Sequence, residues 1–253
     1  MQIKKSWISE DKLRPYMEAA LLIEDDALQL YLTDRKLSSA LFQDISFIEV
    51  TLRNRIHMTL SNDFGPDWFT NPALGFDKRV VENLSEAWTS LPSKYTSNRS
   101  PNNTKLGGRL IAASMFRTWT NMLDAGGPTG LPAPFDKTTH DKIWNEQRLL
   151  SVFPGAKIIA RAKDPSFETY GLTRGWVYQQ VLPVRKIRNR IAHHESLING
   201  VPITGTSDRL PAQDCFQACK TLAFMLDRDL ESFISDNSSV PPLLNQLNRN
   251  RTD

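Results

Sequence analysis

Cysteine is scarce in this sequence. Only Cys215 and Cys219 occur in 253 residues, one helical turn apart, so no disulfide framework is expected. Both read as core residues, because two ligands without nearby histidines are too few for zinc. No run of about 18 apolar residues exists, which argues against a membrane-spanning helix. The first residues, MQIKKSWISEDKLRPYMEAA, hold charges but no apolar stretch of the kind that directs secretion. A cytoplasmic protein is expected. No segment alternates apolar and polar residues as a strand would, and no fixed-period repeat is present. "RNRI" occurs at 53–56 and at 188–191, but its flanks differ.

What is present is helical periodicity. Leu37, Leu41, Ile45, Ile48, Leu52, Ile56 and Leu60 recur at intervals of three and four. They predict a helix from about Lys36 to Asn62, stopped at Gly65-Pro66. A shorter segment, Ile23 to Leu32, precedes it and opens with three acids suited to a helix N-terminus. Asp77 is placed to cap a further helix. Further helical runs are expected at Leu106–Leu123, Thr139–Leu150, Thr173–Leu197 and Ala212–Ile234. Pro183 should kink or restart the third of these four runs. The expected architecture is all-α, a helical bundle with irregular inserts, in a single domain over 1–235. The Asn-, Ser-, Pro- and Arg-rich segment 236–253 reads as a flexible tail.

Charge is unevenly spread. Between Lys157 and Arg190 eight basic residues face only two acids, Asp164 and Glu168. Such a concentration favours an anionic partner, with nucleic acid the commonest candidate. It culminates in IRNRIAHHESLING, residues 187–200. On a helical wheel Arg185, Asn189 and His193 form one stripe, so Asn189 could orient the His193 ring. Arg188 lies about 140° round from His193. Arginine presents a fork of donors to phosphate, and an imidazole exchanges protons near neutral pH. Together they can cleave RNA at its own 2′-hydroxyl, with a base, a cation to stabilise the phosphorane, and an acid for the leaving oxygen. No metal or other cofactor is required, and no carboxylate cluster lies near the motif. Arginine and histidine also gather at helix ends as partners of the helix dipole. From the residues alone both readings stand.

Arg188-Asn189-Arg190-Ile191-Ala192-His193 resembles the Arg-His signature of the HEPN superfamily. The chain around it resembles the Abi-like (abortive infection) branch. The likeness runs through FIEVTLRNRIH (47–57), GPDWF (65–69), GGRLIAASMFRTWTNML (107–123) and FPGA (153–156). Arg117-Thr118-Trp119 stands where relatives usually have a glycine-aromatic pairing. The resemblance implies an HEPN-like bundle that forms a homodimer and joins two Arg-His motifs in one cleft. It implies a metal-independent endoribonuclease leaving 2′,3′-cyclic phosphate, used in phage defence or as a toxin, with RNA as substrate and an antitoxin or phage-derived trigger as a further partner. Arg188, Asn189 and His193 would be catalytic. Arg185, Arg190, His194 and Glu195 would support them or contact RNA. The alternative is a non-catalytic RNA-binding or protein-interaction module built on the same fold.

Overall fold

The computed structural model describes residues 3–96 and 104–252. Helices α1 (Glu10–Ala19) and α2 (Glu24–Phe64) come first, followed by α3 (Lys78–Ser90) and the single turn α4 (Ser93–Thr96). Then come α5 (Thr104–Ala113), α6 (Phe116–Met122), α7 (Glu146–Val152), α8 (Ala156–Lys163), the single turn α9 (Phe167–Tyr170) and α10 (Arg174–Ala192). A hairpin of two-residue strands, β1 (Val201–Pro202) and β2 (Arg209–Leu210), pairs Val201 with Leu210. The described residues end with α11 (Ala212–Leu226), α12 (Arg228–Asn237) and α13 (Val240–Thr252). The fold is all-α apart from that hairpin, as the periodicity implied. No described helix is long and apolar enough to cross a membrane.

The chain groups into two compact units. One comprises residues up to Ile48, Pro183–Ala223 and residues from Asp229 onward; the other comprises Glu49–Leu182 and Phe224–Arg228. No polar linker separates them in sequence, because the boundaries at 48, 182 and 223 fall inside α2, α10 and α11.

In the first unit, Leu30, Leu37, Leu41, Ile45 and Ile48 of α2 are buried, as are Val184, Ile187 and Ile191 of α10. Cys215 and Cys219 of α11 are buried and unpaired. Burial, with a smaller push from Asp214, raises the Cys215 thiol to about 12, and burial raises Cys219 further. A thiolate is the reactive form, so neither cysteine should react with a disulfide reagent in the native protein. Two equivalents should react after denaturation, and fast labelling of the native chain would contradict this packing.

Of the segment 236–253, expected as a flexible tail, the described residues instead complete α12 and form α13, which ends at Thr252. Val240, Leu244 and Leu247 are buried. Pro241 and Pro242 occupy the first turn, where no intrahelical N–H bond is needed. The Ser238 hydroxyl accepts from the Val240 N–H and donates to Asp44 at 2.6 Å. Polar composition concealed a helix whose apolar side is only one residue wide per turn.

In the second unit, Leu52, Ile56 and Leu60 continue the α2 stripe, and Trp68, Phe116, Trp119 and Phe153 fill the core. Asp77 caps α3 through the Val80 N–H, as expected. His57 accepts a hydrogen bond from the Trp68 indole at 3.0 Å, and burial lowers its pKa. Gly155 is required by close approach, since a Cβ there would lie 2.2 Å from the Phe224 carbonyl oxygen.

Several expected boundaries moved. The segments at 23–32 and 36–62 are one helix, because nothing between Glu24 and Phe64 breaks the chain. The polar Thr33-Asp34-Arg35 step looked like an interruption but is paired inside the fold. The run 106–123 is split at Ser114-Met115, and 212–234 is split at Asp227, which pairs with Arg55 at 2.8 Å. Of the expected helix at 139–150, the first part is a 3-10 turn and the second is α7. Helix α10 continues through Pro183 without a restart, with Val181 and Val184 buried on either side of it. Most of the polar loop at 92–104 lies outside the described residues.

Candidate active site

The Arg-His segment forms the last turn of α10 and the chain leaving it. Arg185 and Arg188 are half-buried on the helix, and Asn189 is exposed. His193 and His194 follow the last helical residue, both exposed. The helix closes with a Schellman motif. The His194 N–H donates to the Ile191 carbonyl at 2.9 Å, and the Glu195 N–H donates to the Arg190 carbonyl at 3.0 Å. This geometry places His194 at φ 55°, a left-handed position that normally takes glycine. His194→Gly should therefore stabilise the fold by about 1 kcal/mol. A thermal melt reads this directly, and a lower melting temperature would mean that the His194 ring contributes more than its backbone costs.

A polar network fixes the chain beyond the helix. Lys12 Nζ donates to the carbonyls of His193 and His194 at 3.3 Å each, a cation set against the negative end of α10. Arg35 donates to the Glu195 carbonyl at 2.9 Å. Asp34, fully buried, accepts from the Leu197 N–H at 3.0 Å and from the Tyr16 hydroxyl at 2.6 Å, and it pairs with Arg35 at 2.5 Å. Burial, then the Asp34 charge, pushes the Tyr16 hydroxyl above its ordinary range. Burial works against the Arg35 charge, but Asp34 more than offsets it. Arg190 adds a clamp from the helix side, donating to the Ser196 carbonyl at 2.6 Å and pairing with Glu195 at 2.7 Å. Burial lowers its pKa.

These contacts sort the sequence-predicted residues. Arg190 and Glu195 are committed to each other and to the 193–197 segment, a supporting role rather than an open RNA contact. Asn189 and His193 are linked by a backbone hydrogen bond of 3.0 Å. Among the described residues no side-chain bond from Asn189 orients the His193 ring. Arg188 lies with its guanidinium carbon 6.0 Å from the centre of the Phe42 ring. Arg35 meets Glu195 while Phe42 meets Arg188, so α2 and α10 run antiparallel along this edge.

Lys12, Tyr16, Asp34 and Arg35 were not singled out from the sequence. Asp34 carried a legible signal, since it falls on the apolar stripe between Leu30 and Leu37. A carboxylate there must be paired when buried. Lys12 and Tyr16 carried none, because their partners lie far along the chain.

The basic residues that suggested one positive field have separate roles. Arg174 is buried against Asp141 at 2.6 Å and the Leu123 carbonyl at 2.9 Å. Arg161 faces Glu168 at 3.7 Å. Lys186 is bonded to Thr204. In the second unit Asp77, Asp124 and His140 lie close enough together to hold a metal ion. Arg79 already pairs with both carboxylates. His140 accepts from the Asp77 N–H at 3.3 Å, so its Nδ1 donates to the Asp124 carbonyl at 3.0 Å. Burial works to raise the Asp124 pKa, but hydrogen bonds from His140, the Gly126 N–H and Arg79 outweigh it. The two carboxylates are satisfied from within the protein by Arg79 and by the Val80 and Gly126 N–H groups, and the cluster reads as a structural anchor for α3.

Compared with known families, residues 12–115 match the Abi-like protein family. The match covers less than half of the chain. It includes Lys12, Tyr16, Asp34 and Arg35, which hold the Arg-His segment, and stops before that segment itself. No curated protein and no solved structure gives a significant match.

Proposed function

We propose that this protein is a metal-independent endoribonuclease of the HEPN type that acts in abortive infection of phage-infected cells or as a toxin. The supporting observation is the placement of His193: it is exposed at the end of α10, while its own carbonyl and the backbone that follows it are tied to α1 and α2. A proton-transfer group needs this combination of access and fixed position. The match of residues 12–115 to the Abi-like family supports the cellular role.

In this reading His193 takes the proton from the ribose 2′-hydroxyl or gives one to the departing 5′-oxygen. Arg188 stabilises negative charge on the phosphorane, and Asn189 holds a phosphate oxygen. One imidazole cannot be base and acid at once, and the His193 ring has no orienting partner among the described residues. We infer that a second copy of the chain supplies the complementary Arg-His pair.

Expression in a host tests the cellular part. The wild-type chain should slow growth, and His193→Ala should relieve the arrest. Equal harmlessness of both, with no cleavage of a mixed RNA pool, would favour a binding module without catalysis. Sedimentation of the purified chain tests the second copy: a dimer is expected at micromolar concentration, and a monomer that still cuts RNA would contradict it.

A further inference from the structure

Beside the Arg-His segment, α2 shows an unusual surface. Between residues 35 and 47, Lys36, Ser39, Phe42, Gln43 and Ser46 are exposed. The carboxylate within that stretch, Asp44, is buried and accepts from Ser238. The exposed face therefore offers one cation, Lys36, with hydroxyl and amide groups and an aromatic ring, and no exposed negative charge. An open groove of about 430 Å3 follows it, lined by Arg35, Lys36, Ser39 and Gln43 and bordered by Leu243 of α13. Phe42, next in sequence to the lining residue Gln43, is 41% exposed, with Arg188 over its ring.

We propose that this face of α2 is the track for single-stranded RNA, with a base stacked on Phe42 and the backbone following Lys36, Ser39 and Gln43. The inference rests on the nuclease reading and deepens it by naming how the substrate is held. Single strands are bound by a positive groove combined with aromatic platforms, because every base has a stacking face while phosphates supply uniform charge. A ring lying under the arginine assigned to the scissile phosphate places a base next to the phosphate to be cut. Hydroxyl and amide groups along the groove can meet the ribose 2′-hydroxyl, which DNA lacks. A duplex would not present unstacked bases to a single ring, so the track selects single strands.

The test is fluorescence anisotropy with a labelled single-stranded RNA of about ten nucleotides, a span typical of such grooves. The full chain carrying His193→Ala is the parent, so that the probe is not cut. Phe42→Ala should weaken binding about tenfold, and Phe42→Trp should restore it. Lys36→Glu should weaken binding to a similar degree and flatten its salt dependence. Both side chains are exposed, so circular dichroism should show an unchanged fold. A parent that binds RNA, with Phe42→Ala and Lys36→Glu binding equally well, overturns the track and leaves the nuclease reading intact. Weakened binding by both variants, in a protein whose wild type never cuts RNA, upholds the track and overturns the nuclease. Failure of the parent to bind any RNA overturns both.

Discussion

Replacing His193 with alanine is expected to lower RNA cleavage by about 10²–10⁴-fold, the usual contribution of one positioned acid-base group. His193 is exposed and makes no side-chain hydrogen bond among the described residues, so the fold should not change. A melting temperature equal to that of the wild type is the necessary control. Arg188→Ala should reduce cleavage by a comparable factor through loss of charge stabilisation at the phosphorane. It should also loosen the contact with Phe42, so its effect on substrate binding should exceed that of His193→Ala. His194→Ala should act mainly on stability, because its backbone closes the Schellman motif. Equal cleavage by wild type and His193→Ala would remove the catalytic role assigned here.

Asp34→Ala should be the most damaging single substitution near the site. It leaves the Leu197 N–H without its acceptor, removes the acceptor of Tyr16, and strips Arg35 of its counter-charge. Breaking a buried pair at one partner costs about 3–5 kcal/mol. Arg35 keeps part of its exposure to water, so the lower figure applies. Tyr16→Phe removes the hydroxyl that donates to Asp34 and accepts a long bond from Arg35, and should cost about 1–2 kcal/mol. Chemical denaturation measures both. Hydrogen exchange at Leu197 gives the local readout, since its amide should exchange far faster in Asp34→Ala. A variant as stable as the wild type, with Leu197 still protected, would show that the 193–197 segment is held by something else. Because Asp34 and Arg35 hold the chain at Leu197 and Glu195, just beyond His193, cleavage should fall with Asp34→Ala even below its melting temperature.

The fold class was legible because the apolar residues of α2 keep their interval from Leu37 to Leu60, and no element requires long-range pairing to be recognised. Helix ends were less legible. Asp227 breaks a long run beside a partner far along the chain, Arg55, while the break at Ser114 has only a local bond back to Leu110. The terminal helix was hidden by polar composition, although Val240, Leu244 and Leu247 carry its spacing. The candidate site divides in the same way. Arg188, Asn189 and His193 stand out as a local pattern, but the turn that presents His193 did not, because the expected helix ran on to Leu197 whereas α10 ends at Ala192. The support did not stand out either, because Lys12, Tyr16 and Arg35 reach the motif from more than 150 positions away. Asp34 alone announced itself, as a carboxylate on an apolar stripe. The apparent basic field was misleading for the opposite reason. Arg174 and Arg190, counted in one basic segment, are each absorbed by partners of their own, Asp141 and Glu195.

The most direct measurement compares two short RNAs in the presence of EDTA. One is all-ribose, and the other carries a 2′-deoxyribose at the preferred cleavage position. Cleavage through the 2′-hydroxyl with Arg188 and His193 should cut the first, leave a 2′,3′-cyclic phosphate end, and spare the second at that position. An all-ribose strand left whole by the purified protein, or a deoxy-substituted strand cut at the same place, would contradict it.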